Sequence, residues 1–137
     1  MVIQSDLVKK CMDFCIDSFE TYQDGQIVFN ESSRGDWIYV VEEGAIEISK
    51  TLEGKKIVIA IINPGEIFGE VSYILKVPRS AKATAVGKTV IGIIDRHFFD
   101  QEFGKLSDHC KFILETMALR LVKTTGNLLK IKRQTLG

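Results

Sequence analysis

The apolar positions change period twice along the chain. Between residues 5 and 16, Leu7, Cys11, Phe14 and Cys15 fall at helical spacing, which predicts a short amphipathic N-terminal helix. Strand-like patterning follows. Phe19-Glu20-Thr21-Tyr22 alternates, Asp24-Gly25 marks a turn, and Ile27-Val28-Phe29 opens a second strand. Trp37-Ile38-Tyr39-Val40-Val41 is aromatic and β-branched, and Glu42-Glu43-Gly44 predicts a turn after it. Ala45-Ile46-Glu47-Ile48-Ser49 alternates, Glu53-Gly54 predicts a hairpin, and residues 57–62 are apolar throughout. Asn63-Pro64-Gly65-Glu66 fits a type II turn. Ala81, Ala83 and Ala85 alternate with Lys82, Thr84 and Val86, and Val90-Ile91-Gly92-Ile93-Ile94 closes the series. About eight short antiparallel strands at this spacing predict a mainly β fold, a sandwich or jelly-roll barrel.

From Asp95 the helical period returns. Asp95 suits the N-cap of a helix over residues 96–103 with Gly104 as its stop, and Ser107 suits the N-cap of a second, long helix. On that helix Cys110, Leu114, Met117, Leu121, Leu128 and Ile131, with Thr124 in the series, recur in steps of four and three. This is a heptad seam, and it predicts pairing with a second copy through residues 110–131. Ala118, Val122, Thr125 and Leu129 form an adjacent stripe that broadens the apolar face. Gly126-Asn127 either lies inside the helix or ends it.

Composition narrows the function classes. The 137 residues are 45% apolar and 26% charged, enough for one globular domain with a core that needs no disulfide or metal. Eighteen basic side chains balance eighteen acidic ones, which argues against a general nucleic-acid binder. The charge is uneven, however: residues 111–137 hold six cations against Glu115 alone, which reads as a solvated basic helix end. No apolar run approaches the ~18–20 residues that span a bilayer, and the start lacks the pattern of a signal peptide. A cytoplasmic chain with no membrane contact is expected. Three cysteines exclude a complete disulfide framework. Cys11, Cys15, Cys110 and His109 could supply four zinc ligands, but thiols acting as small hydrophobes in a reducing compartment are the plainer reading, and no metal is expected. His97 and His109 both fall on predicted helices, and no nucleophile–base pair is visible, so no catalysis is expected.

The segment that carries chemistry is Gly65-Glu66-Ile67-Phe68-Gly69-Glu70-Val71-Ser72-Tyr73-Ile74-Leu75-Lys76-Val77-Pro78-Arg79-Ser80-Ala81. Gly69 stands where a strand stops and a short turn of helix begins, and glycine lets backbone approach a ligand closely. The N–H groups of a helix start attract an anion. The planar fork of Arg79 matches phosphate oxygens, while Glu70 can accept from a sugar hydroxyl. An anion trap, a cation and a hydroxyl acceptor together suit a sugar phosphate of single negative charge.

Phe68-Gly69-Glu70, eight residues and then Arg79 resembles the phosphate-binding cassette of the cyclic nucleotide-binding domain family, with the spacing of the regulatory subunits of cyclic-AMP-dependent protein kinase. The resemblance extends over residues 14–131. Ile27-Val28-Phe29-Asn30-Glu31 and Gly35-Asp36-Trp37-Ile38-Tyr39-Val40-Val41-Glu42-Glu43-Gly44 are similar to the family's second and third strands, departing at Ser32-Ser33, where Gly-Asp is usual. Ser32-Ser33 reads as a remote loop whose change has local consequences only. Met117-Ala118-Leu119-Arg120-Leu121-Val122-Lys123-Thr124-Thr125 resembles the central, dimer-forming helix of the bacterial catabolite activators. The resemblance implies a ligand site made by Ile48, Ala60, Ile62, Phe68, Gly69, Glu70, Val71, Arg79, Ser80 and Ala81, joined by Arg120, Thr124 and Thr125 from the helix. The two threonines would meet an adenine amino group, one from each subunit. They favour cAMP as ligand, whereas the Ser80 hydroxyl could reach the 2-amino group of cGMP.

The resemblance thus implies a jelly-roll receptor over residues 1–106, with flanking short helices, and a dimerising lid helix with a basic tail over residues 107–137. It would need no cofactor beyond its ligand and would signal to an unnamed effector protein by moving its C-terminal helices. No helix-turn-helix pattern follows the long helix, so this chain alone is not expected to contact nucleic acid. Two rival readings keep the fold: a docking or dimerisation module with a vestigial pocket, and a redox sensor built on thiols or an iron–sulfur group.

Overall fold

The computed structural model describes residues 15–136, with side chains through Leu129. The elements run β1 (Ile16–Tyr22), β2 (Ile27–Phe29), β3 (Tyr39–Leu52), β4 (Lys55–Ile62), β5 (Ile67–Phe68), α1 (Glu70–Leu75), β6 (Lys82–Ile94), α2 (Arg96–Gly104) and α3 (Asp108–Leu136). The predicted N-terminal helix lies outside the described residues except at its end, where Ile16 already belongs to β1.

Six strands replace the expected eight because two predicted pairs merge. Glu42-Glu43-Gly44 does not reverse the chain. It is an irregular stretch inside β3, where the register against β6 shifts on either side of Glu43. Likewise, β6 absorbs both segments expected between Ala81 and Ile94. Such bulges bend a strand without ending it. The two long strands pair antiparallel from Tyr39 opposite Ile93 to Ser49 opposite Lys82. Near one end β1 and β5 flank them, and near the other β2 and β4 do. The result is two layers, β1-β6-β3-β5 and β2-β6-β3-β4, sharing their central strands. Among the described residues no pairing joins the outer strands into a closed barrel. The core draws Tyr39, Val41, Phe68 and Ile91 from one layer and Ile46, Ala83 and Ala85 from the other. The fold is the mainly β jelly-roll class, with helices at its C-terminal side.

Gly44 fixes the bend. Its φ is +84°, and a Cβ there would lie 2.4 Å from the Lys88 carbonyl oxygen and 2.6 Å from Thr89 Oγ1. Thr89 is fully buried and donates to the Ala45 carbonyl at 3.1 Å. Gly44→Ala therefore meets a left-handed backbone penalty and a backbone collision together. We expect a stability loss of at least about 2 kcal/mol in urea denaturation; an unchanged midpoint would show that the bend does not depend on this residue.

The helices cover one flank. Tyr73 and Ile74 of α1 and Phe99 and Phe103 of α2 pack on Cys15, Ile38, Ile67 and Ile94. As expected, Asp95 caps α2 by accepting from the backbone N–H groups of His97 and Phe98, and Ser107 Oγ accepts from Cys110 N at the start of α3. Gly126 lies inside α3, which continues through Leu136. The two stripes of α3 separate. Ala118, Val122, Thr125 and Leu129 are buried or half-buried on the inner side, whereas the seam positions Met117, Leu121 and Leu128 are exposed at 60%, 56% and 58%. Ile131 lies beyond the described side chains. Among the described residues no helix is long and apolar enough to cross a membrane.

Candidate functional site

A cavity of about 220 Å3 opens between the roll and α3. Its floor comes from β3 and β4, one wall from the segment through β5 and α1, another from the start of β6, and its roof from α3. The structure brings Ile48, Ala60, Ile62, Phe68, Gly69, Glu70, Val71, Arg79, Ser80, Ala81 and Thr125 to its border. Arg120 and Thr124 stand off it, exposed on α3. Thr125 lies on the inner stripe of α3 with Ala118, Val122 and Leu129, whereas Thr124 is exposed on the outer seam. Phe29, Lys50, Ile59, Ile67, Ser72, Leu121 and Val122 also border it, although the sequence reading did not single them out as site residues. Strand alternation placed Lys50 on the face of Ile48, and helical spacing placed Leu121 and Val122 one turn before Thr125.

Gly69 begins α1 at φ +86°, with no side-chain cap. A Cβ on it would come within 2.8 Å of the Trp37 carbonyl oxygen and 2.9 Å of Arg79 Nη1. The glycine is thus required by close approach as well as by its dihedral. Glu70 follows in the first turn, and burial pushes its carboxyl above the ordinary range, against the opposing pull of its own backbone N–H and of Arg79.

Arg79 is 3% exposed. Its Nη1 donates to the Gly69 carbonyl and its Nη2 to the Trp37 carbonyl, both at 2.9 Å. The guanidinium lies 4.2 Å from the centre of the Phe29 ring, a stacking that favours arginine over lysine. Burial makes the cation harder to keep, while Tyr39, Asp36 and Glu70 offset that. Two of five N–H groups are spent on carbonyls, which leaves donors for an anion in the cavity.

The loop before β3 proves to be part of this arrangement, a correction to its reading as remote. Ser32 N donates to the Arg79 carbonyl at 2.7 Å, and Arg79 N donates to the Ser33 carbonyl at 2.8 Å. Ser32 occupies a left-handed conformation, φ +68°, which explains why glycine is the family's usual residue there.

A polar circuit links this wall to the helices. Asp36, next to Trp37, accepts both Nη groups of Arg96 at 2.7 and 2.8 Å. Arg96 Nε lies 3.8 Å from Asp100 of the same helix, and the Tyr73 hydroxyl of α1 donates to Asp100. Burial and that carboxylate together push the Tyr73 phenol upward. Among the described residues no three His, Cys, Asp or Glu side chains gather into a metal site. Cys15 is buried and Cys110 is exposed on α3; Cys11 lies outside the described residues.

The family model for the cyclic nucleotide-binding domain matches residues 19–105. An uncharacterized ABC transporter ATP-binding protein of Mycobacterium tuberculosis is 41% identical over 81 residues, 54% of this chain and 24% of its own length. The cAMP-dependent protein kinase regulatory subunit of Yarrowia lipolytica is 33% identical over 92 residues, 67% of this chain and 24% of its own. This chain therefore spans about a quarter of these relatives. Among solved structures, the cAMP-bound form of the EAL enzyme Bd1971 superposes with a TM-score of 0.74 at 26% identity, covering 87% of this chain and 33% of that one. The cGMP-bound form of the same enzyme gives 0.72 at 25% identity over the same shares. With cassette, roll and roof in place, this chain belongs to the cyclic nucleotide-binding domain family.

Proposed function

We propose that the protein is a cAMP receptor whose occupancy is read out through its C-terminal helices, and that it is not itself a catalyst. The observation that carries this is the convergence of Glu70 and Arg79 on one cavity roofed by Thr125. The remaining donors of Arg79 take the cyclic phosphate, Glu70 accepts from the ribose 2′-hydroxyl, and the base lies between β4 and α3. Thr125 accepts from the adenine amino group in this arrangement, while Thr124 and Arg120 are left to a second copy. The kinase subunits and the cAMP-bound enzyme among the relatives support the ligand class.

Coupling follows from the circuit. A phosphate that draws Arg79 toward itself loads the Gly69 and Trp37 carbonyls, and thereby α1 and the Asp36–Arg96 clamp on α2. The exposed stripe of Met117, Leu121 and Leu128 supports a homodimer along residues 110–131. An effector protein would then sense the joint placement of α2 and α3. The exposed thiol of Cys110 supports a cytoplasmic setting.

Calorimetric titration of the purified protein with cAMP tests the reading. Saturable binding at one site per chain is expected, weakened about tenfold by Glu70→Gln, which cannot offer the same charged acceptor. A protein that binds no cyclic nucleotide would leave the docking-module reading in its place.

A further inference from the structure

Lys50 borders the cavity from β3, yet neither phosphate capture nor ribose capture uses it. It stands two residues beyond Ile48, on the same face of the strand. The register fixes where that is. Ile46 pairs with Ile62 and Ile48 with Ala60; the register then shifts by one extra β4 residue, so that Lys50 pairs with Ile57, on the hairpin side of Ala60. The side chain is half-buried. Among the described residues it has no hydrogen-bond or ion-pair partner, whereas nearby Lys56 is paired with Glu47 at 2.8 Å. A cation with no partner among the described residues, at the border of a largely apolar cavity, is poised for an acceptor on whatever fills it.

An ammonium group offers three donors and no acceptor. The two purines answer it differently. Guanine presents O6 and N7 side by side, both acceptors, while adenine sets a donating amino group beside N7. We propose that Lys50 is a specificity-determining residue that donates to the O6/N7 edge of a bound guanine, so that it raises cGMP affinity and narrows the preference for cAMP. The inference rests on the cyclic nucleotide reading above. It differs from the Ser80 route to cGMP, because Ser80 would reach the 2-amino group on the other side of the base. Cyclic IMP separates the two: it keeps O6 and N7 and lacks the 2-amino group.

The test is competition titration of the full chain with cAMP, cGMP and cyclic IMP, for the wild type, Lys50→Met and Lys50→Arg. Lys50→Met is expected to weaken cGMP and cyclic IMP by about tenfold relative to cAMP, with Lys50→Arg restoring most of that ratio. In the wild type, cyclic IMP should bind within about threefold of cGMP, a comparison that needs no variant to fold. Equal weakening of all three ligands would place Lys50 on the shared phosphate and overturn the proposal, as would an unchanged ratio. Cyclic IMP binding far more weakly than cGMP in the wild type would assign guanine recognition to the 2-amino group and overturn it too. A wild type that binds none of the three would fail the receptor reading itself, and this inference with it.

Discussion

Arg79→Ala is expected to lose measurable cAMP binding and to lower the stability of the ligand-free protein as well. Both effects come from one side chain. Removing the cation deletes a charge-assisted contact to a buried anion, on the order of 1.5–3 kcal/mol or more than tenfold in affinity. It also strips the Gly69 and Trp37 carbonyls of their donor and leaves a gap against the Phe29 ring. A buried acceptor without a partner costs about 1–3 kcal/mol. Arg79→Lys separates the two roles. Lysine keeps the charge, but its single ammonium cannot span both carbonyls while stacking on Phe29. Affinity should fall at least tenfold for Arg79→Lys, with a smaller loss in melting temperature than for Arg79→Ala. Calorimetry for binding and thermal unfolding without ligand measure the two separately. Unchanged affinity in either variant would remove Arg79 from the site.

Met117→Asp is expected to turn the proposed homodimer into monomers. Met117 is 60% exposed on the outer stripe of α3 and does not border the cavity, so ligand capture within one chain is spared. At a seam position each copy would bury an unpaired carboxylate facing its twin. The cost is at least about 3 kcal/mol per dimer, more than a hundredfold in dissociation constant. Sedimentation velocity over a micromolar concentration series reads this directly. A wild type that sediments as a monomer throughout would end the dimer proposal. Leu121 is the less suitable position for this test because it also borders the cavity.

What could be read from the sequence was what local spacing controls. The cassette falls within a dozen residues, so Gly69, Glu70 and Arg79 announce their relation in the order of the chain. The caps at Asp95 and Ser107 are local in the same sense. The strand count failed because a turn and a bulge share the same residues. Glu42-Glu43-Gly44 would suit either, and only the pairing with distant Val90 and Val86 makes it a bulge. The second role of Arg79 was hidden for a related reason, since its acceptors are backbone carbonyls, one of them at Trp37 far upstream. Any residue at that position carries a carbonyl, so no side-chain pattern marks it. Thr124 and Thr125 show the limit on helices. Adjacent residues of one type are indistinguishable until the rotation of α3 about its axis is fixed, and the packing of Ala118, Val122 and Leu129 fixes it.

The pairing of β1 with the far half of β6 has a consequence for how the protein is made. Ile16 sits opposite Ile94, and Tyr22 opposite Thr89. A strand emerging early from the ribosome thus waits for nearly the whole roll before it finds its partner. Sheets dominated by such distant pairs fold slowly, on the millisecond-to-second scale, and an early strand waiting with open hydrogen-bonding edges is exposed to wrong pairing. In this chain β1 therefore has no docking edge until β6 has been made. α3 is synthesised after all of them, so the roof closes over a cavity whose walls already exist.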